Sequence, residues 1–340
     1  MNLHRSAPLL VVLAASGCGA PATPRDQALQ GTKTFIDANI AGVLASAEAL
    51  CAAAPAGGAA GWDKTADRAA IDAMKSHWRD ARIAYESIEG AIAVLFPDLD
   101  ISTDQRYDGF IAVAPDSKLF DDTGVTGIHA IERILWSDVI PPRVVRFESG
   151  LAGYQAARFP ETQGEAADFK NKLCARLVRD LQSMQAEFVP LALDPAAAYR
   201  GLIGSMREQV EKADKAATGE EESRYAEFTL ADMRTNVAAG VSIYGAFKPW
   251  LESVDKGAAS EPPIDAGFAR VQAAYAKLPG DALPPVPDDW SSLRPTPANL
   301  ATDFGKLWTV LQTESDPGVD SSLVAAMSRS ADLLGIAQLQ

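Results

Sequence analysis

The chain has 340 residues, 47% of them hydrophobic and 7% aromatic, enough to bury a substantial core in one large or two medium domains. Its formal net charge of −14 argues against a nucleic-acid binder, which would carry a basic footprint, and favours cations as small partners. Apolar residues recur at spacings of three and four and seldom alternate, so the expected fold class is all-α.

Residues 1–17 read as a signal peptide. His4 and Arg5 precede an apolar run over 7–15, too short to span a bilayer as a helix, and Ser16 and Gly17 then lead to Cys18. The ending ASGC has the form of a lipobox, with Ala15 where leucine is usual, so Cys18 is the expected lipidation site and mature N-terminus. Gly19, in place of the aspartate of inner-membrane retention, points the anchor to the outer membrane, facing the periplasm. Residues 18–25 form the expected tether.

A first helix is expected over 27–51, stopping in the stretch APAGGAAG at 54–61. A long one follows, from 64 or 68 to 95, with Met74, Trp78, Ala81, Tyr85, Ile88 and Ile92 at core spacing and Pro97 ending it. It carries Glu86 and Glu89 at i and i+3, on one face, with Arg82 four residues before Glu86 as a surface ion-pair partner. Residues 96–122 read as an irregular acidic connection bearing Asp98, Asp100, Asp104 and Asp108, longer than compact domains usually leave without a function.

Next comes GIHAIERILW, 127–136, which places His129 and Glu132 on one face of an apolar helix broken by Pro141 and Pro142. Burying an imidazole and a carboxylate is costly unless a metal ion or a hydrogen-bonded pair satisfies them. Further helices are expected over 143–158, 162–189, 195–217 and 221–254, then a linker at 256–263, a helix over 264–278, a Pro-rich segment over 279–297 and two helices reaching 334. Cys51 and Cys174 remain as an even pair in an oxidising compartment, and both a disulfide and two small buried thiols fit that count.

Glu-x-x-Glu facing His-x-x-Glu would gather three carboxylates and one imidazole between two helices, much as carboxylate-rich metal sites are built inside bundles. Oxygen ligands with one nitrogen suit Fe, Mn or Zn better than Cu(I). Solvated helix faces, a satisfied core histidine and a soluble acidic loop would give the same pattern without a metal. His77 lies nine residues before Glu86, half a turn around the helix, and is a poor ligand. With no second histidine on a helix face, HExxH zinc chemistry is out of reach, and no GxSxG elbow, Walker A loop or GxGxxG turn occurs.

In order, WRDARIAYESIEG, FPDLDISTDQRYDGF and TGIHAIERILW resemble the imelysin family, in particular its EfeO/EfeM branch of periplasmic iron-uptake proteins. Gly127, His129 and Glu132 match the GxHxxE motif, and LADMRTN at 230–236 resembles a downstream family helix, so the likeness spans about 30–252. The resemblance implies two packed four-helix-bundle lobes, 26–160 and 161–340, without a cupredoxin-like extension. It also implies a metal site of Glu86, Glu89, Asp104, His129 and Glu132, with Asp108 as the substitute for Asp104. The implied protein is a lipid-anchored periplasmic binder of iron, or of Zn or Mn, serving an inner-membrane iron permease and a periplasmic peroxidase, with no nucleic acid. Two rivals stand beside it: a metallopeptidase with one metal-bound water and Glu132 or Glu89 as base, and an envelope adaptor whose polar cluster is structural.

Overall fold

The computed structural model describes residues 21–338, and among these the regular structure is helical, with no strand beyond an isolated bridge between Gly58 and Gly61. The export segment and Cys18 lie outside the described residues.

Helix α1 (Pro24–Ala53) starts at a capping box in which Thr23 and Asp26 satisfy each other's backbone N–H groups, with Pro24 in the first turn. Its apolar stripe, Ile36, Ile40, Val43, Ala47 and Leu50, packs against α2 (Arg68–Glu86). By length and composition α1 could cross a membrane; here that stripe is core.

The long helix expected up to residue 95 is interrupted. α2 ends at Glu86, Ser87 and Ile88 turn the chain, and α3 (Glu89–Leu95) resumes, so Glu86 and Glu89 flank a break. The segment expected to be irregular instead folds as α4 (Pro97–Asp104) and α5 (Tyr107–Val113). Next come α6 (Gly127–Leu135), buried at every residue, α7 (Pro142–Ser149), and α8 (Gln163–Asp168), which runs through a π-helical stretch (Phe169–Cys174) into α9 (Ala175–Phe188). The later helices are α10 (Pro195–Thr218), α11 (Thr229–Glu252), α12 (Gly257–Tyr275), α13 (Pro297–Ala301), α14 (Asp303–Ser315) and α15 (Leu323–Leu333).

Helix α1 packs against α2, α9 and α11, while α10 and α12 pack against α14 and α15, and α11 touches both groups. A disulfide joins Cys51 at the end of α1 to Cys174, with Cα atoms 5.6 Å apart, inside the span a disulfide bridges. The stretch expected to be a linker, 256–263, is the first part of α12, with Pro262 and Pro263 inside the helix. Packing outweighs propensity there, because α12 buries Ile264, Phe268, Val271 and Tyr275.

Candidate metal centre

Gly127 sets the position of the whole site. Its φ is +85°, and a Cβ there would lie 2.4 Å from the carbonyl oxygen of Thr103, so only glycine lets the start of α6 close onto the end of α4. That approach brings His129, two residues into α6, beside Asp104, the last residue of α4.

The imidazole is fully enclosed and held by one side. Nδ1 lies 2.7 Å from Glu132 Oε2, while Glu132 Oε1 accepts from the backbone N–H groups of Tyr225 at 2.9 Å and Ala226 at 2.8 Å. With Glu132 ionised, Nδ1 is the protonated nitrogen and Nε2 carries the lone pair. Nε2 has no hydrogen-bond partner among the described residues, and Asp104 Oδ1 stands 3.4 Å away. Asp104 Oδ1 already accepts from Arg82, so the buried group left to be satisfied at this point is His129 Nε2, which a cation shared with Asp104 would satisfy. Burial, and then Arg82, hold the His129 pKa below its ordinary value, which keeps the ring neutral and able to ligate.

The carboxylates are not free. Arg82, expected on the surface, is buried and donates to Glu86, to Asp104 and, at 3.4 Å, to Asp232 Oδ2. Lys212 of α10 reaches Glu86 at 3.2 Å, Glu89 at 3.0 Å and Glu222 at 2.6 Å. Asn236 donates to Glu86 Oε2 at 2.7 Å and to Glu89 Oε2 at 3.2 Å. Burial raises the carboxyls of Asp104 and Asp232 to about 6 despite Arg82, and it raises Glu89 despite Lys212. Burial also acts on Glu222, but Lys212, Arg106 and Arg82 outweigh it and hold that carboxyl far below the usual range.

Two overlapping donor sets result. Asp104, His129 and Glu222 offer ligand atoms within 4.8 Å of one another, and so do Glu86, Glu89, Asp104 and Glu222. Of their members Glu89, Asp104 and Glu222 line a cleft of about 250 Å³, together with Asp100, Arg106 and Asp108.

Several sequence expectations change here. Glu132, expected as a ligand, has both oxygens engaged, one at His129 Nδ1 and the other by the backbone N–H groups of Tyr225 and Ala226. Asp108, expected as the substitute for Asp104, lines the cleft and pairs with Arg224, which holds its carboxyl low against burial. Neither expected peptidase base has a free oxygen, since Glu89 is taken by Lys212 and Asn236 and Glu132 by His129 and the backbone. His77 lies on the outer face of α2, 3.9 Å from Asp80, away from the site.

Sequence reasoning missed Glu222, Lys212, Asp232 and Asn236. Glu222 was assigned to a helix over 221–254, but the chain turns through 220–228 and α11 begins at Thr229. Lys212 had a detectable signal: Met206, Gln209 and Lys212 continue the buried stripe of α10, where an unpartnered lysine would be untenable.

The described residues thus gather a buried histidine and a carboxylate cluster inside an all-helical fold. The imelysin family profile (peptidase M75) matches residues 29–299, and the chain belongs to that family. It is 28% identical over 272 residues to the iron uptake system component EfeO of Yersinia pestis, covering 79% of this chain and 59% of that protein. It is 27% identical over 208 residues to the iron uptake system component EfeM of Pseudomonas syringae pv. syringae (strain B728a), covering 61% of this chain and 59% of that protein. The chain therefore spans about three-fifths of the length of these curated relatives.

Proposed function

We propose that this protein is the metal-binding component of an iron-uptake system in the cell envelope, and that the metal ion is its cargo. The observation that carries this reading is the buried, unpartnered Nε2 of His129, aimed at Asp104 with Glu222 close by. In this reading His129, Asp104 and Glu222 hold the ion. Glu86 and Glu89 belong to the same cluster, engaged by Lys212, and Glu132 orients the imidazole.

Imidazole and carboxylate donors suit Fe, Mn or Zn, and an opening to solvent suits reversible capture better than a closed thiolate cage. Family membership and the names of the EfeO and EfeM relatives support iron as the physiological ion. The proposal extends to delivery to an inner-membrane iron permease, with a periplasmic peroxidase in the same system. It further extends to a periplasmic location with a lipid anchor at Cys18, on the outer membrane by the Gly19 argument; mass spectrometry of the mature N-terminus checks the anchor.

The test is titration calorimetry of the purified protein with Fe²⁺ under anaerobic conditions and with Zn²⁺, alongside His129→Gln. The parent should bind and the variant should lose at least about tenfold in affinity, the range typical of disturbing a metal site. Equal binding by both would leave the cluster as a structural network and reject the reading.

A further inference from the structure

Lys212 occupies a position that a bundle metal site would give to an ion. Its Nζ stands 3.2 Å from Glu86 Oε2, 3.0 Å from Glu89 Oε2 and 2.6 Å from Glu222 Oε2. These carboxylates come from α2, α3 and the turn after α10, and together with Asp104 they bring oxygens within 4.8 Å of one another. Carboxylates from separate segments converging on one point are how helical bundles hold metal ions. An ammonium has three donors, one for each of the three carboxylates.

At the other end of the same cluster Arg82 donates to Asp104, but no donor among the described residues reaches His129 Nε2. His129 Nε2 is buried without a partner, and Asp104 and Glu222 are the carboxylates beside it. Both carboxylates belong to the two donor sets, the place bridging carboxylates take between paired ions.

We propose that the cluster is a two-cation site in which the Lys212 ammonium takes one position, leaving the His129 end for a single exchangeable divalent ion. The inference rests on the metal-binding reading above and adds a specificity residue to it. Lys212 limits the site to one ion, and its charge, acting through the shared Glu222, keeps that ion's binding loose enough for release. A neutral side chain at 212 should open the Glu86 and Glu89 end to a second ion and tighten the first.

The experiment uses Mn²⁺ as probe, with stoichiometry from equilibrium dialysis and elemental analysis and the electron paramagnetic resonance spectrum as a second readout. The parent should bind one equivalent with an isolated-ion spectrum. Lys212→Met should bind two, with an exchange-coupled spectrum and the first ion held at least about tenfold tighter, as expected when an adjacent like charge is removed. Lys212→Arg, which keeps a cation, should stay at one.

One equivalent in parent and Lys212→Met at equal affinity overturns the proposal, and so do two equivalents in the parent. No ion in the parent with one in Lys212→Met upholds Lys212 as the occupant while rejecting the cargo reading, and none in either rejects both. Where the methionine variant does not fold, Lys212→Gln replaces it, because it removes the charge while keeping a polar group in the buried pocket. The same stoichiometries then decide.

Discussion

The 2.7 Å contact between His129 Nδ1 and Glu132 Oε2 decides which imidazole nitrogen meets the acidic cluster. The backbone N–H groups of Tyr225 and Ala226 occupy the other Glu132 oxygen, so the remaining oxygen is left to accept a hydrogen bond from Nδ1–H. Nε2 is thereby presented as a lone pair.

Glu132 is accordingly a positioning residue. Glu132→Gln should lower metal affinity about 10- to 100-fold, as loss of a supporting hydrogen bond does elsewhere, and His129→Gln should lower it further. The distinguishing measurement is nitrogen NMR of His129. The variant should show a mixture of tautomers where the parent shows Nδ1–H alone, and an unchanged tautomer would remove this role.

Metal affinity should rise with pH through about 6 and level off above it. Asp104 titrates there because burial raises its carboxyl, with Arg82 opposing, and an ion must displace its proton below that pH. Burial, and then Arg82, lower His129, so its neutral form is favoured over the same range. The metal-free fold responds with the opposite sign. A carboxyl raised above its unfolded value of about 3.9 contributes stability that is full below that pH and lost as pH rises through about 6. Calorimetry in buffers of different ionisation heat counts the released proton. Asp104→Asn should abolish the inflection, and an inflection surviving in that variant would contradict the assignment.

Gly127→Ala should be strongly destabilising although it adds one methyl group. A left-handed backbone at a non-glycine residue costs about 1–3 kcal/mol, and the new Cβ would also stand 2.4 Å from the Thr103 carbonyl oxygen. Chemical denaturation should show the loss. The surviving folded protein should bind metal more weakly, because relieving the clash moves His129 away from Asp104. Loss of stability with intact metal affinity would show that α6 can shift without opening the site.

Reducing the Cys51–Cys174 disulfide should lower stability while leaving the metal site working. The bridge closes a segment with a sequence separation of 123, for which loop-closure entropy gives about 5 kcal/mol as an upper value. Thermal unfolding of Cys51→Ala/Cys174→Ala beside the parent measures the cost, and calorimetric titration should return the parent's affinity. A large drop in affinity would show that the bridge also sets the site.

The elements that sequence describes well are those whose signal is local. Spacing of three and four along residues 24–53 and 68–86 defines which stripe is buried. The same rule put His129 and Glu132 on one turn and His77 on the far face, and the side chains are arranged so. Where two local signals compete, packing arbitrates. Pro262 and Pro263 suggested a linker, and the apolar stripe of α12 overrode them; the acidic stretch after Phe96 suggested a loop, and it folded as two short helices.

What each polar residue does was decided by tertiary structure. Spacing puts Glu86 and Glu89 on one face but does not say that Lys212, 126 residues after Glu86, and Asn236, 150 residues after it, will be there to meet it. Arg82 reads as a surface partner of Glu86 until α11 places Asp232 beside it and closes it in. Glu132 reads as a ligand until the turn after α10 brings two backbone N–H groups to its free oxygen. Sequence thus determined an all-helical chain with an imidazole and carboxylates paired on helix faces. The packing of distant helices decided which carboxylates are neutralised by the chain's own cations and which nitrogen is left without a partner, because a buried charge takes its role from whatever segment arrives to compensate it.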